Sequence, residues 1–324
     1  MSQVPERSRG EHPRYMWIDG RLVPWEEATV HASTLGWSTM GAVFEGIKAY
    51  WNADQQELYG WQFREHYQRF AASMKLMRMQ VPFSVDDLVQ ASVELLRANA
   101  WRTDTYVRPI AWHRAATWFG SMLGEPVSIA ISTAQFSSVL GSGKAIRAMV
   151  SSWTRLSDNM MSPRIKCISN YQNSRMALIE ASLRGYDQPI ILNALGKVAE
   201  GPASCLFIVR HGVAITPSIT SGVLESITRD TILQLCRERL GIPTMEREID
   251  RTELYIADEV FFCGTGAEIT PVASVDDYVI GDGRIGPVTR AIEQAFHDLV
   301  RGRSPDYAHW RTPVYRSVPV GAGR

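Results

Sequence analysis

Ser137-Ser138-Val139-Leu140-Gly141-Ser142-Gly143-Lys144 divides the chain. The run is small, polar and glycine-rich, which is the composition of a connection and not of a packed element. It predicts an interdomain loop over residues 137–145, between a smaller domain at 15–136 and a larger one at 146–324, with 1–14 as a flexible tail. A chain of 324 residues agrees with two domains, since domains run to roughly 100–200 residues.

Before the linker, residues 16–23 read as two short strands around an Asp19-Gly20 turn. Residues 42–50 alternate with the period of a strand, and 65–77 place Phe70, Met74 and Met77 at helical spacing. Ser84 with Asp87 opens a second helix in the manner of a capping box. Strands are expected at 105–113 and 126–133. After the linker, strands are expected at 146–152, 189–193, 205–210, 213–216 and 259–263. Helices are expected at 174–183, 228–240 and 287–301, stopped by Gly185, Gly241 and Gly302. Strands and helices mix without strict βαβ alternation, so the expected class is α+β.

Lys plus Arg and Asp plus Glu both number 34, so no basic excess points to nucleic acid. The cysteines Cys167, Cys205, Cys236 and Cys263 show no CxxC spacing and read as reduced core residues, with no metal site expected. No apolar run reaches the roughly 18 residues of a membrane span, and the first residues are polar, so a cytoplasmic protein is expected. A GxSxG elbow, a Walker loop and an HExxH pair are missing from the sequence.

Several residues have chemical potential, each with an ordinary alternative. Lys166 is flanked by apolar residues, and a desolvated amine can attack an aldehyde; taken alone, the ordinary reading is a surface lysine. Glu200, in Val198-Ala199-Glu200-Gly201, is able to keep a pyridine nitrogen protonated or to serve as a turn carboxylate. Ser226-Ile227-Thr228-Arg229-Asp230 opens a helix whose free N–H groups suit a phosphate, or is a simple cap. Cys263-Gly264-Thr265-Gly266-Ala267 lets backbone approach a ligand, or is a tight turn. His66 and Arg69 share a helical face. Tyr106 and Arg108 share a strand face, and apolar neighbours around Arg108 suggest a buried cation with an anionic partner.

Taken in order, these segments resemble the fold-type IV pyridoxal-phosphate enzymes, most nearly the branched-chain amino acid aminotransferases. The matching runs are Phe44-Glu45-Gly46-Ile47-Lys48, Arg64-Glu65-His66-Tyr67-Gln68-Arg69, Tyr106-Val107-Arg108-Pro109, Lys166 with Asn170-Tyr171, Glu200-Gly201 and Ile227-Thr228-Arg229-Asp230. Further matches are Ala257-Asp258-Glu259-Val260-Phe261, Gly264 to Pro271, and Gly286-Pro287-Val288-Thr289. The resemblance implies a small α/β sandwich domain and a larger pseudo-barrel domain, with a site between them that a second subunit completes. It also implies a homodimer or higher homo-oligomer.

By the same resemblance, the catalytic residue is Lys166, which carries pyridoxal 5′-phosphate as an aldimine and shuttles a proton in ping-pong transamination with a 2-oxo acid such as 2-oxoglutarate. Glu200 would meet the pyridine nitrogen and Tyr171 the ring oxygen. Arg69, Ser226, Ile227, Thr228 and Thr265 would hold phosphate, with Ala203, Ser204, Leu224 and Gly264 lining the cofactor. Phe44, Gly46, Tyr106, Arg108, Thr265, Gly266 and Ala267 would form the substrate side. Arg108 would take the second carboxylate of glutamate.

This chain departs from the family pattern at Thr39, Lys48, Phe136, Val139, Ser226 and Cys205. Thr39 and Val139 replace larger pocket residues, which suggests a wider substrate range in specialised biosynthesis. Other activities on the same fold are a D-amino acid or (R)-amine aminotransferase and an aminodeoxychorismate lyase.

Overall fold

The computed structural model describes residues 12–32, 36–114 and 122–316; most of the expected tail lies outside them. The chain forms two compact units, one of residues 1–137 with 307–324, the other of residues 138–306.

The first unit is built on an antiparallel sheet. Its strands run in the order Arg311–Pro313, Glu57–Trp61, Ile47–Asn52, Thr105–His113, Val127–Gln135, Tyr15–Ile18 and Arg21–Pro24. Residues 311–313, expected from sequence in the C-terminal domain, pair with Glu57–Trp61 of this unit. Burial accounts for it: Trp310 packs edge-on against Trp61, and the buried Glu57 accepts the backbone N–H groups of Val314, Tyr315 and Arg316. The helices Phe63–Leu76 and Val85–Asn99 pack against each other, and the second begins with the reciprocal Ser84–Asp87 capping box.

The expected strand at 42–50 is broken into Val43–Phe44 and Ile47–Asn52. At the break, Glu45 turns inward to His66 and Arg69 while its own N–H still reaches the Pro109 carbonyl. The Thr105–His113 strand buries alternate residues, so Val107 faces the core and Arg108 faces outward. Arg108 is exposed; strand alternation, not apolar neighbours, decides its environment.

The second unit carries a mixed sheet. Its order is Val198–Glu200, Gln188–Leu192, Ile146–Thr154, Glu268–Val275, Glu259–Gly264, Cys205–Arg210, Val213–Thr216 and Thr244–Glu246. Ile146–Thr154 is parallel to both neighbours, whereas the strands from Glu268–Val275 to Val213–Thr216 form antiparallel pairs. Both units combine helices and sheets, as an α+β fold does. Helix Asn170–Leu183 covers the parallel strands and Pro287–Val300 covers Glu259–Gly264. The glycine-rich run is held to this unit by buried carboxylates. Glu268 accepts from Ser138 and Val139, and Glu293 accepts from Gly141. Among the described residues, no helix is long and apolar enough to cross a membrane.

Candidate active site

Lys166 follows a tight turn in which Ile165 N–H donates to the Ser162 carbonyl. Its half-buried ammonium donates to the Tyr171 hydroxyl at 2.6 Å and lies 5.0 Å from that ring's centre. Tyr171 sits in the first turn of Asn170–Leu183, which begins four residues before its expected start at 174. Amine and phenol are therefore fixed by a turn and a helix start that adjoin in sequence.

Glu200 ends the short Val198–Glu200 strand and is buried. One carboxylate oxygen accepts from the Arg155 guanidinium at 2.7 Å, and the other accepts from Leu224 N–H at 3.0 Å. Arg155 is itself buried; it donates also to the Ser174 hydroxyl and to the Gly222 carbonyl. Ser174 lies one turn beyond Tyr171 on the same helix face. A continuous frame thus links the helix of Tyr171 through Arg155 to Glu200 and on to Leu224. Arg155 joins the candidate site without a signal in the sequence, because nothing along the chain marks residue 155 as the partner of residue 200.

Leu224 leads into the start of Ile227–Leu235. Ser226 is the buried cap, its oxygen accepting from Arg229 N–H at 3.2 Å. The capping alternative is therefore realised, and it leaves the Ser226 hydroxyl hydrogen available to an acceptor. Cys205 donates its thiol to the Leu224 carbonyl and is paired in register with Cys263 on the neighbouring strand. Thr265, Gly266 and Ala267 form the tip of the hairpin between Glu259–Gly264 and Glu268–Val275. Gly264 runs so close to Ala203 and Ser204 that an added Cβ would lie 3.3 Å from the Ala203 carbonyl. Gly201 is likewise covered by Ser204 and Phe262. Lys166, Tyr171, Glu200, Ala203, Ser204, Leu224, Ser226, Ile227, Thr228, Gly264, Thr265, Gly266 and Ala267 all belong to the second unit.

Phe44, Gly46, Arg69, Tyr106 and Arg108 belong to the first unit. Glu45 is fully buried and receives two nitrogens of Arg69, at 2.7 and 2.9 Å, together with His66 at 2.9 Å. Burial pushes the Glu45 carboxyl up, but the Arg69 charge and the hydrogen bonds of His66 and Arg69 outweigh it and hold the group well below the usual carboxylate range. Tyr106 packs on Phe136 with ring centres 5.2 Å apart, and Lys48 lies 5.0 Å from the same Phe136 ring. Lys48 and Tyr106 are register partners, which places them with Arg108 on one face of the sheet; Lys48 is buried there, whereas Arg108 is exposed. Thr39 lies on the short helix Trp37–Met40, where its hydroxyl donates to the Gly36 carbonyl.

The second unit thus brings together an amine on a phenol, a buried carboxylate on a guanidinium and a capped helix start. The amino-transferase class IV family matches residues 42–275. A probable branched-chain-amino-acid aminotransferase of Aquifex aeolicus is 40% identical over 301 residues, covering 93% of this chain and 97% of that protein. The branched-chain amino acid aminotransferase of Thermobaculum terrenum, solved in its PLP form, is 46% identical with a TM-score of 0.92, covering 94% of this chain and 99% of that one. The branched-chain aminotransferase of the archaeon Thermoproteus uzoniensis, solved with norvaline, is 42% identical with a TM-score of 0.87, covering 94% of this chain and 100% of that one. With the family match spanning residues 42–275 and the similarity running through both units, the chain belongs to the amino-transferase class IV family.

Proposed function

We propose that the chain carries pyridoxal 5′-phosphate on Lys166 and moves the amino group of a branched-chain or related hydrophobic L-amino acid to a 2-oxo acid such as 2-oxoglutarate. The observation that carries this reading is the 2.6 Å Lys166–Tyr171 hydrogen bond, set in the same frame as the buried Arg155–Glu200 pair. The relatives named above, all branched-chain aminotransferases, support the substrate class.

The residues present suit the cofactor, which when bound supplies an electron sink. Lys166 would hold it covalently and move the proton at the substrate Cα. Tyr171 orients the amine. Glu200, buried against the Arg155 guanidinium, would face the ring nitrogen. The start of Ile227–Leu235 presents N–H groups and the Ser226 and Thr228 hydroxyls for phosphate. In the second unit the Thr265-Gly266 backbone would offer N–H groups to a substrate α-carboxylate; in the first unit the Tyr106 hydroxyl and the exposed Arg108 guanidinium would each suit a substrate carboxylate. The protein is read as a cytoplasmic homodimer or higher homo-oligomer, which light scattering of the purified protein measures.

The test is borohydride reduction of the cofactor-loaded protein followed by peptide mapping, with a mass-spectrometric screen of amino donors. Label on Lys166, and conversion of leucine, isoleucine and valine with 2-oxoglutarate, are expected. Label on another lysine, or no conversion of these donors, refutes the proposal. Bulkier donors in the same screen report on the wider substrate range suggested by the sequence.

A further inference from the structure

Asn170 is only 2% exposed, and it spends both side-chain N–H bonds on one short turn. Its amide nitrogen donates to the Ser162 carbonyl at 2.9 Å and to the Ile165 carbonyl at 2.9 Å. Its own side-chain oxygen has no hydrogen-bond partner among the described residues. The reverse orientation of the amide would aim oxygen at two carbonyl oxygens, so the direction of donation is set by chemistry. A buried acceptor without a donor carries a desolvation penalty. The fold retains that penalty beside the reactive amine, which asks for a compensating role.

The position of the two carbonyls supplies one. The Ile165 carbonyl belongs to the peptide bond that leads into Lys166. The Asn170 backbone carbonyl belongs to the peptide bond that leads into Tyr171. The Asn170 side chain therefore ties the peptide before the amine to the residue before the phenol. Ile165 already accepts from Cys167 N–H, and Ser162 from Ile165 N–H. The asparagine thus fills the second lone pair of each carbonyl and closes the turn from inside.

We propose that Asn170 is the positioning residue of Lys166: it locks the 162–165 turn to the helix start and so fixes the amine on the Tyr171 hydroxyl. This rests on Lys166 being the cofactor lysine. Asn170 touches neither cofactor nor substrate and acts only through the backbone on either side of the Lys166–Tyr171 pair. Asn170→Ala removes both donors. Asn170→Ser keeps at most one. Asn170→Asp puts a charged acceptor against two carbonyls and should be the most damaging.

The experiment compares cofactor-loaded wild type, N170A, N170S and N170D, held well below their unfolding midpoints. Four quantities are read: the lysine trapped by borohydride, the pH midpoint of the cofactor's visible band, the single-turnover rate with L-glutamate, and the effect of α-deuteration on that rate. The apo-proteins are also mixed with pyridoxal 5′-phosphate to measure the rate of band formation. Expected for N170A are trapping still on Lys166, a displaced band midpoint, slower band formation, and a single-turnover rate lower by about tenfold to a hundredfold with a larger deuterium effect. N170S should fall between N170A and wild type, and it keeps the test open if N170A does not fold. A lowered unfolding midpoint with wild-type band midpoint, band formation and turnover would make Asn170 a purely structural clamp and overturn the proposal. Trapping of wild type on another lysine would instead refute the assignment of Lys166, and the role of Asn170 with it.

Discussion

The hydroxyl of Tyr106 occupies the volume that a Cβ on Gly46 would fill. Gly46 follows the break at Glu45, and Tyr106 reaches it from the adjacent strand, where Tyr106 and Lys48 are partners in register. The glycine is required by a neighbouring side chain, since it is not among the positions with a positive φ. Gly46→Ala should displace the phenol and overpack the site, an effect of about 1–3 kcal/mol. The expected result is a kcat/KM lower by about tenfold to a hundredfold, with the cofactor band retained. Steady-state kinetics with leucine checks it.

Arg155 gives Glu200 its counter-charge inside the second unit. Arg155→Met should leave a buried carboxylate unpaired, with a loss of about 3–5 kcal/mol. Cofactor affinity should fall with it, because Glu200 also anchors Leu224 N–H ahead of the helix start. Equilibrium urea unfolding and cofactor titration measure the two effects, and an unchanged unfolding midpoint would refute the coupling.

Glu45 makes stability depend on acid in a defined direction. Its native carboxyl lies well below the ordinary value of 4.5, so the unfolded chain binds more protons through that interval. The contribution is fully present above about pH 4.5 and is lost as pH falls toward the native value. Glu45→Gln should cost about 3–5 kcal/mol at neutral pH by removing the buried carboxylate that meets Arg69 and His66. The gap between wild type and variant should narrow as pH falls below 4.5. Urea unfolding at neutral and acidic pH follows it.

Ser226 caps its helix through Arg229 N–H. Ser226→Ala should destabilise by about 0.5–2 kcal/mol, and Ser226→Gly by only a few tenths. If the hydroxyl also meets phosphate, both variants should weaken cofactor binding alike. Calorimetry and cofactor titration separate the two roles.

Cys263 is buried, and burial, followed by its neighbour Cys205, pushes its thiol well above the ordinary range. The thiolate is the reactive form, so native protein at pH 8 should resist iodoacetamide at Cys263 and react only after unfolding. Mass mapping of the alkylated peptides checks this, and rapid native labelling would contradict the packing.

Much of this molecule was legible along the chain. Periodicity and punctuation marked the hairpin at Asp19-Gly20, the capping box at Ser84 and the paired strands around His211-Gly212, because each rests on interactions within a few residues. Local pattern also singled out Lys166, Glu200, Ser226 and the Thr265 loop. It did not reveal that Arg155 belongs with Glu200, that Asn170 clasps the turn before Lys166, or that residues 311–313 return to Glu57–Trp61. Nor did it show Arg108 as an exposed residue of its strand. Those depend on which surfaces are buried together and on which charges must be neutralised there. Desolvation acts between residues far apart in sequence, so only the tertiary structure decided them.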